Sequence, residues 1–335
     1  VMASAQFYTN TKLLMDALGL PGDEKGLLAR CREASKHLES VIGQFVPVVA
    51  SKSYDNPGGD AYNGFEFMLD PLLSVVSITD KNGNAISSDE YELYPLNRAW
   101  ANGPYLRLKT YYDEITINGY WGLYEEWLAN GLSGSLAATS TTSLVVTNGG
   151  RLWPGKVIKL ADEQILITAG CGGESSPDPT TATSVTTGYA TEVTDIIPVT
   201  SGAEFYSDEV IRVGDEDMLI LRKDGNQLIV KRGWNGTLRD EHSLSSVIKV
   251  YRTVTVERGV NGTTAAIHSS AAMYEAQLPA DLAYLATQVT SLMRGKAATG
   301  FTGRAGNSET GESFWLNEFP RGPIKAIRAN YCWRP

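Results

Sequence analysis

The sequence is poor in the residues that usually anchor a chemical site. It has three cysteines in 335 residues, Cys31, Cys171 and Cys332, an odd number set far apart. That spacing excludes a disulfide framework and a cysteine zinc cluster. It has three histidines, His37, His242 and His268, without the spacing of a metal-ligand set. No apolar run approaches the ~18 residues that a membrane span needs, so no membrane partner is expected. Positive charge is not in excess: 29 Lys and Arg stand against 38 Asp and Glu, a net charge of −9. Bulk affinity for nucleic acid is therefore not expected. The opening "VMASAQFYTN" lacks a signal-peptide pattern, and synthesis in a reducing cytoplasm is the plain expectation. There is no Gly-x-Ser-x-Gly elbow. Gly150-Arg-Leu-Trp-Pro-Gly155-Lys156 imitates a phosphate-binding loop, but Val157 stands where Ser or Thr would hold magnesium, and a strand follows rather than a helix. Adjacent Glu125 and Glu126 cannot flank one glycosidic bond by themselves. Neither an enzyme nor a cofactor or metal site is expected.

What the sequence does have is repetition. "KRGWNGTLRDEH" and "ERGVNGTTAAIH" share Arg-Gly-x-Asn-Gly-Thr and a following His, from Arg232 to His242 and from Arg258 to His268, at an offset of 26. Asn-Gly favours a turn with positive φ at both central residues, and strand formers precede each copy. Asn235, Gly236, Asn261 and Gly262 are thus expected as hairpin turns, and the matching glycosylation sequons as incidental. A second repeat aligns 144–167 with 197–220 at an offset of 53, with Asp162-Glu163 matching Asp215-Glu216. These acids are expected as turn residues with solvated charges. The order front, front, back, back points to one β-module inserted in its sister. The outer module would be 143–168 with 253–276, and the inner one 196–250. A swapped pairing of the halves stays open at this level. The join at 169–194 is long for a structureless loop and is expected exposed and mobile.

Around the repeats the pattern changes. A short helix opens the chain. A longer amphipathic helix is expected from about Glu24 to Phe45, with Leu27, Leu28, Cys31, Ala34, Leu38, Val41 and Ile42 on one side. Strands follow over 65–122, and the small polar stretch 128–143 reads as a linker. Pro279 opens a closing helix. The terminus carries Arg321, Lys325, Arg328 and Arg334 with Tyr331 and Trp333 and no acid, which reads as an extended arm.

This order of elements resembles the head–tail connector (adaptor) proteins of long-tailed double-stranded DNA bacteriophages. "TKLLMDALGLPGDEKGLLARCREASKHLESVIGQF" is similar to the family's opening helix pair. The strands of "DPLLSVVSITDKNGNAISSDEYELYPL" and "PYLRLKTYYDEITINGYWG" resemble its central strands, ending in Gly119-Tyr120-Trp121-Gly122. "LPADLAYLATQVTSLMRGK" resembles its closing helix, and "FPRGPIKAIRANYCWRP" its extended end. The resemblance covers roughly 10–130 and 275–335. About 145 residues of repeated β-module interrupt it, where family members pass directly from strands to helix.

The resemblance implies an α+β fold: a connector core, 1–130 plus 276–318, with a helix pair, a small β-sheet and a closing helix. An all-β domain of two nested modules would be inserted at 131–275, separable from the core, and 319–335 would form the extended C-terminal arm. The implied function is a structural adaptor in the virion neck, a homo-oligomeric ring typically of twelve subunits. The ring would sit below the portal protein, take the stopper or tail-completion protein on its other face, and let genomic DNA through without sequence-specific binding. Arg321, Lys325, Arg328, Tyr331, Trp333 and Arg334 would dock on the portal. A β-rich adhesion or carbohydrate-binding protein is the competing expectation.

Overall fold

The computed structural model describes residues 7–22, 25–55, 65–94, 105–188, 190–191, 193–298, 304–306, 313–315 and 320–331. Two helices open the chain, α1 (Thr11–Leu18) and α2 (Leu27–Ile42). Asn10 caps α1 by accepting the Leu13 N–H, and Gly19 ends it in the left-handed conformation. Six strands follow: β1 (Val48–Asp55), β2 (Glu66–Met68), β3 (Leu72–Asp80), β4 (Tyr91–Tyr94), β5 (Tyr105–Leu108) and β6 (Glu114–Trp121). They form two three-stranded sheets, ordered β1-β6-β3 and β2-β5-β4. Their apolar faces meet through Phe67, Leu72, Ile78, Leu106, Leu108, Ile115, Ile117 and Trp121. In the Gly119-Tyr120-Trp121-Gly122 signature the glycines permit close approach. A Cβ on Gly119 would sit 2.6 Å from Ser74 O, and one on Gly122 2.9 Å from Phe45 O.

Next come β7 (Trp127–Leu136), β8 (Ser143–Val145), β9 (Val157–Leu160), β10 (Glu163–Ala169), β11 (Thr180–Val185) and β12 (Ile196–Pro198). They are followed by β13 (Val210–Val213), β14 (Glu216–Asp224), β15 (Gln227–Trp234), β16 (Val247–Val250), β17 (Thr253–Glu257) and β18 (His268–Ala276). Two antiparallel six-stranded sheets result, β7-β18-β9-β10-β17-β8 and β11-β16-β13-β14-β15-β12. The two orders correspond strand for strand. β10 pairs with β17, while β14 pairs with β15, so the second copy lies whole inside the first and no halves are exchanged. The inner sheet closes on itself through a bridge between Thr186 and Val199. Its interior holds Ile197, Val199, Phe205, Ile211, Met218, Ile220, Leu228 and Val230. The outer core uses Leu144, Val146, Leu152, Ile158, Ile165, Ile167, Val254 and Val256 at matching places.

The chain closes with α3 (Ala280–Ala298), the short strands β19 (Arg304–Gly306) and β20 (Ser313–Trp315), and α4 (Arg321–Tyr331). Helices α2, α3 and α4 share a core of Ala34, Leu38, Ile42, Leu282, Leu285, Ala286, Val289 and Ile327, joined by Tyr8 and Phe45. A second core lies between the helices and the β-modules. In it Leu14, Met15, Leu20, Leu27 and Cys31 pack with Trp153, Val157, Leu166, Val210, Leu219, Trp234 and Tyr251.

This architecture corrects the expected α+β fold with a helical connector core. Strands make up 41% of the described residues, which hold four helices, so the protein is mostly β and its helical part minor. The amphipathic stripe of α2 announces that a helix face is buried, but not against what; here β-modules cover half of it. Three local readings change as well. The supposed linker at 128–143 is largely strand β7. The join at 169–194 supplies β11, which pairs with β16. The supposed extended arm is helix α4, which starts after Pro320 and seats Ile324 and Ile327, three residues apart, on the helical core.

Candidate functional site

The repeated phrase builds a buried charged clasp in each module. In the inner copy Glu216 opens β14 and Arg232 lies on β15. Glu216 Oε1 accepts from Arg232 Nε at 2.6 Å and from the Gly233 N–H at 2.9 Å. Oε2 accepts from Arg232 Nη2 at 2.5 Å, the Asp240 N–H at 3.1 Å and His242 Nε2 at 2.9 Å. Arg232 Nη1 reaches the carbonyls of Thr191 and Thr194, both at 2.9 Å. The outer copy repeats every contact. Glu163 takes Arg258 Nε and Nη2 at 2.7 and 2.8 Å, the Gly259 and Ala266 N–H groups at 3.0 Å, and His268 Nε2 at 2.8 Å. Arg258 Nη1 donates to Ala138 O and Thr141 O at 3.1 Å. Ala138 and Thr141 precede Thr191 and Thr194 by 53 residues, so the duplication reaches back through the segment read as a linker.

An ionised carboxylate only accepts, which puts the proton of each histidine on Nε2. Burial pushes both acids up. The bonds from Arg258, Ala266, His268 and Gly259 outweigh it and hold Glu163 down at about 2, and those from His242, Arg232, Asp240 and Gly233 do the same for Glu216. The reading of these acids as solvated turn residues is thus corrected for Glu163 and Glu216, which are buried; Asp162 and Asp215 beside them are exposed. The sequence offered only a partial signal: Glu recurs at the offset of 53, and the Arg and His that pair with it recur separately at the offset of 26.

The rest of the phrase is equally accounted for. Asn235 and Gly236 have φ of 54° and 76°, and Asn261 and Gly262 of 56° and 76°, so both pairs are left-handed turn centres. The Thr237 N–H closes one turn on Trp234 O at 3.1 Å, and the Thr263 N–H the other on Val260 O at 3.2 Å. Thr237 Oγ1 accepts the Asp217 N–H at 2.9 Å, as Thr263 Oγ1 accepts that of Gln164 at 3.0 Å. These turns do not join paired strands, because β15 and β16 lie apart in the sheet order. Each instead seats on the flanking unit. The Asn235 N–H donates to Pro21 O at 3.2 Å, and Lys231 Nζ to Leu20 O at 2.9 Å. The other turn lies on β1, where a Cβ on Gly262 would stand 2.0 Å from Val49 O.

The clasps have no open chemistry. Every carboxylate oxygen is occupied by donors from the module itself. Among the described residues no group of three or more His, Cys, Asp or Glu could hold a metal ion. The imitation phosphate loop spends its backbone donors internally: Gly150 N–H on Asn148, Gly155 N–H on Ile167 O, Lys156 N–H on Trp153 O. Glu125 accepts from Trp127 Nε1 and Glu126 from the Tyr124 hydroxyl. Of the residues assigned to the arm, Arg321, Lys325 and Arg328 are exposed along α4 at spacings of four and three, while Ile327 on another face is buried. The side chain of Tyr331, and Trp333 and Arg334 altogether, lie outside the described residues.

The fold and these clasps define a β-rich protein of two nested modules clamped to a smaller helical and β base. Comparisons with protein-family models, with curated proteins and with solved structures return no match to the chain.

Proposed function

We propose that the protein is a structural head-to-tail adaptor of a tailed phage particle, a ring-forming subunit that binds the portal on one side and the stopper on the other. One observation carries the reading. The two segments that resemble the connector family, about 150 residues apart in sequence, pack into a single unit. Tyr8, α2, α3 and α4 share one core, and the hydroxyls of Thr9 and Thr287 meet at 2.9 Å. The β-modules enter and leave that unit at neighbouring points, since Glu126 O accepts the Gln277 N–H at 2.9 Å. A base made of the two chain ends, with a long β-body looped out of it, is what an insertion into a compact adaptor would produce.

The filled clasps give the repeated phrase itself a structural role, since each carboxylate oxygen is taken by donors of its own module. The carbohydrate-binding alternative finds little support. Trp121, Trp153 and Trp234 are buried and Lys159 stands over the ring of Trp127, so none of these four offers a free face to a sugar ring.

The portal-facing surface would be the basic stripe Arg321, Lys325 and Arg328, presented by an ordered helix. The test mixes purified protein with a portal ring and measures the size of the complex. The triple substitution Arg321→Glu, Lys325→Glu, Arg328→Glu should leave the free subunit folded, since all three residues are exposed and α4 stays seated through Ile324 and Ile327. It should abolish portal binding. Undiminished binding by that variant removes the stripe from the mechanism, and failure of the native protein to bind any portal or to form rings removes the adaptor reading.

A further inference from the structure

One constellation in the outer module has no counterpart in the inner one. Glu275 on β18 lies opposite Leu128 of β7 on one side and Ile158 of β9 on the other. Asn130 is two residues beyond Leu128 and Lys156 two before Ile158, so the three side chains share one face. Glu275 Oε2 accepts from Lys156 Nζ at 3.0 Å, and Oε1 from Asn130 Nδ2 at 3.2 Å. The Asn130 side-chain carbonyl oxygen accepts the Leu132 N–H at 2.9 Å. Lys156 Nζ also donates to Arg151 O at 2.9 Å. Asn130 is 8% exposed, and the side chains of Glu275 and Lys156 14% and 25%. By the offset of 53 the inner module has Thr183 and Glu209 in place of Asn130 and Lys156, and Val250 opposite Ile211 where Glu275 faces Ile158. The fold therefore forms without this triad.

The geometry points to an intramolecular amide cross-link between Lys156 Nζ and Asn130 Cγ, formed autocatalytically with Glu275 as the catalytic residue. An amine, a carboxamide and a carboxylate that touches both nitrogens are the components of a transamidation. Glu275 takes a proton from the Lys156 ammonium and frees the nucleophile. The amine turns from the carboxylate edge onto Asn130 Cγ, using its flexible four-carbon stem. The charge that develops on the Asn130 oxygen meets the Leu132 N–H, which already points at it. Glu275 then delivers the proton to Nδ2, and the Cγ–Nδ2 bond breaks. A new Cγ–Nζ amide remains with one hydrogen on its nitrogen, and the departing ammonia carries off the other proton that this nitrogen gives up, leaving as ammonium. No oxidant, metal or second molecule is required. Lys156 and Glu275 line a cavity of about 330 Å³ between the outer module, the N-terminal segment and the start of α3, which gives ammonia a way out. The bond would tie β7 to β9 across β18, and so join the first strand of the outer module to its centre.

Intact-mass spectrometry of the full chain, unfolded after storage at neutral pH, is the test. The expected mass is about 17 Da below that of the sequence, the loss of one ammonia. Trypsin should fail to cut after Lys156, and a branched peptide should link that residue to Asn130. Lys156→Arg and Glu275→Gln should each restore the full mass, with circular dichroism reporting that the fold persists. A native chain of full mass that is cut normally after Lys156 overturns the proposal, and the three residues are then an ion pair with a hydrogen bond. Asn130 precedes Gly131, so a succinimide there would also lose ammonia. A deficit that survives Lys156→Arg identifies that succinimide and equally overturns the cross-link.

Discussion

The two modules of this chain meet one requirement in two settings. Both must hold a long loop, from the Asn-Gly turn to the following histidine, against a small sheet. Both do it with one buried glutamate that gathers an arginine, a histidine and two backbone N–H groups. The inner clasp is sealed, with Arg232 and Glu216 side chains at 0% exposure, whereas Arg258 and Glu163 stand at 5% and 1%. The residue after each glutamate differs more. Asp217 binds Arg212 at 2.7 Å and the Tyr251 hydroxyl at 3.2 Å, a second charged layer. Gln164, its equivalent, donates instead to Pro47 O at 3.1 Å; the bond from the turn asparagine is common to both, Asn261 donating to Gln164 at 2.8 Å and Asn235 to Asp217 at 3.3 Å. Contacts kept in both copies are those that close the module. The turns differ in what they seat on, the α1–α2 connection for the inner one and β1 for the outer one.

The sharpest way to break the comparison is to remove the modules. Deleting 131–275 and bridging the ends would cut β7 and strip Trp153, Val157, Leu166, Val210, Leu219, Trp234 and Tyr251 from the buried face of α1 and α2. The remainder should lose cooperative unfolding, read by thermal denaturation, even though α2, α3 and α4 keep a core of their own. A cooperative transition in the deletion would show that the shared core is dispensable. The next largest effect belongs to the clasps. Glu216→Ala leaves a buried guanidinium without its anion and should cost about 3–5 kcal/mol in denaturant unfolding. Glu163→Ala should cost less, because Arg258 retains slightly more solvent. Equal costs would mean that the difference in exposure has no energetic weight.

Much of this pairing could be read from the amino acids, and its purpose could not. The offsets of 26 and 53 locate both copies, because identical residues in register are visible without coordinates; that the copies nest rather than exchange halves needed the strand pairing. The turn chemistry of Asn235-Gly236 and Asn261-Gly262 follows from the positive φ that Asn-Gly tolerates. Burial of Glu163 and Glu216 was hidden, because an acid between two apolar strands resembles a solvated turn until its arginine, 95 residues away for one and 16 for the other, is placed beside it. The strands β7 and β11 were missed because small and polar residues such as Ser, Thr and Gly resemble linkers when only one face of a short strand is apolar. Helix α4 was missed because Ile324 and Ile327 offer a two-residue stripe, too short to register as a period.

Acid should act on both clasps together. Glu163 and Glu216 fall from 4.5 to about 2 on folding. A carboxylate depressed in this way contributes stability that is complete above its unfolded value and lost as pH falls through its folded one. Between pH 5 and pH 2 each should therefore forfeit on the order of 2–3 kcal/mol. Unfolding measured over that range should steepen with acid, and Glu163→Gln or Glu216→Gln should each flatten it by about half. An unchanged pH slope in both variants would show that neither carboxylate is held down in the folded protein.

The smallest effect separates the two turns themselves. Gly236 and Gly262 share a φ of 76°, so a side chain at either is strained by the same left-handed conformation. Their surroundings differ. A Cβ on Gly236 would meet nothing within 4 Å, while one on Gly262 would stand 2.0 Å from Val49 O, a backbone atom of a paired strand that cannot step aside. Gly236→Ala should then cost about 1 kcal/mol, the backbone strain alone. Gly262→Ala must also lift the turn off β1, breaking the contact that seats the outer module, and should cost roughly 2–3 kcal/mol. Replacing each glycine by D-alanine in a semisynthetic chain isolates the cause. D-alanine favours positive φ, which removes the strain at 236, and its Cβ replaces the other glycine hydrogen, pointing away from the position that an L side chain would fill. If L-alanine at 236 and at 262 costs the same, the outer turn is not seated on β1, and the two copies differ only in sequence.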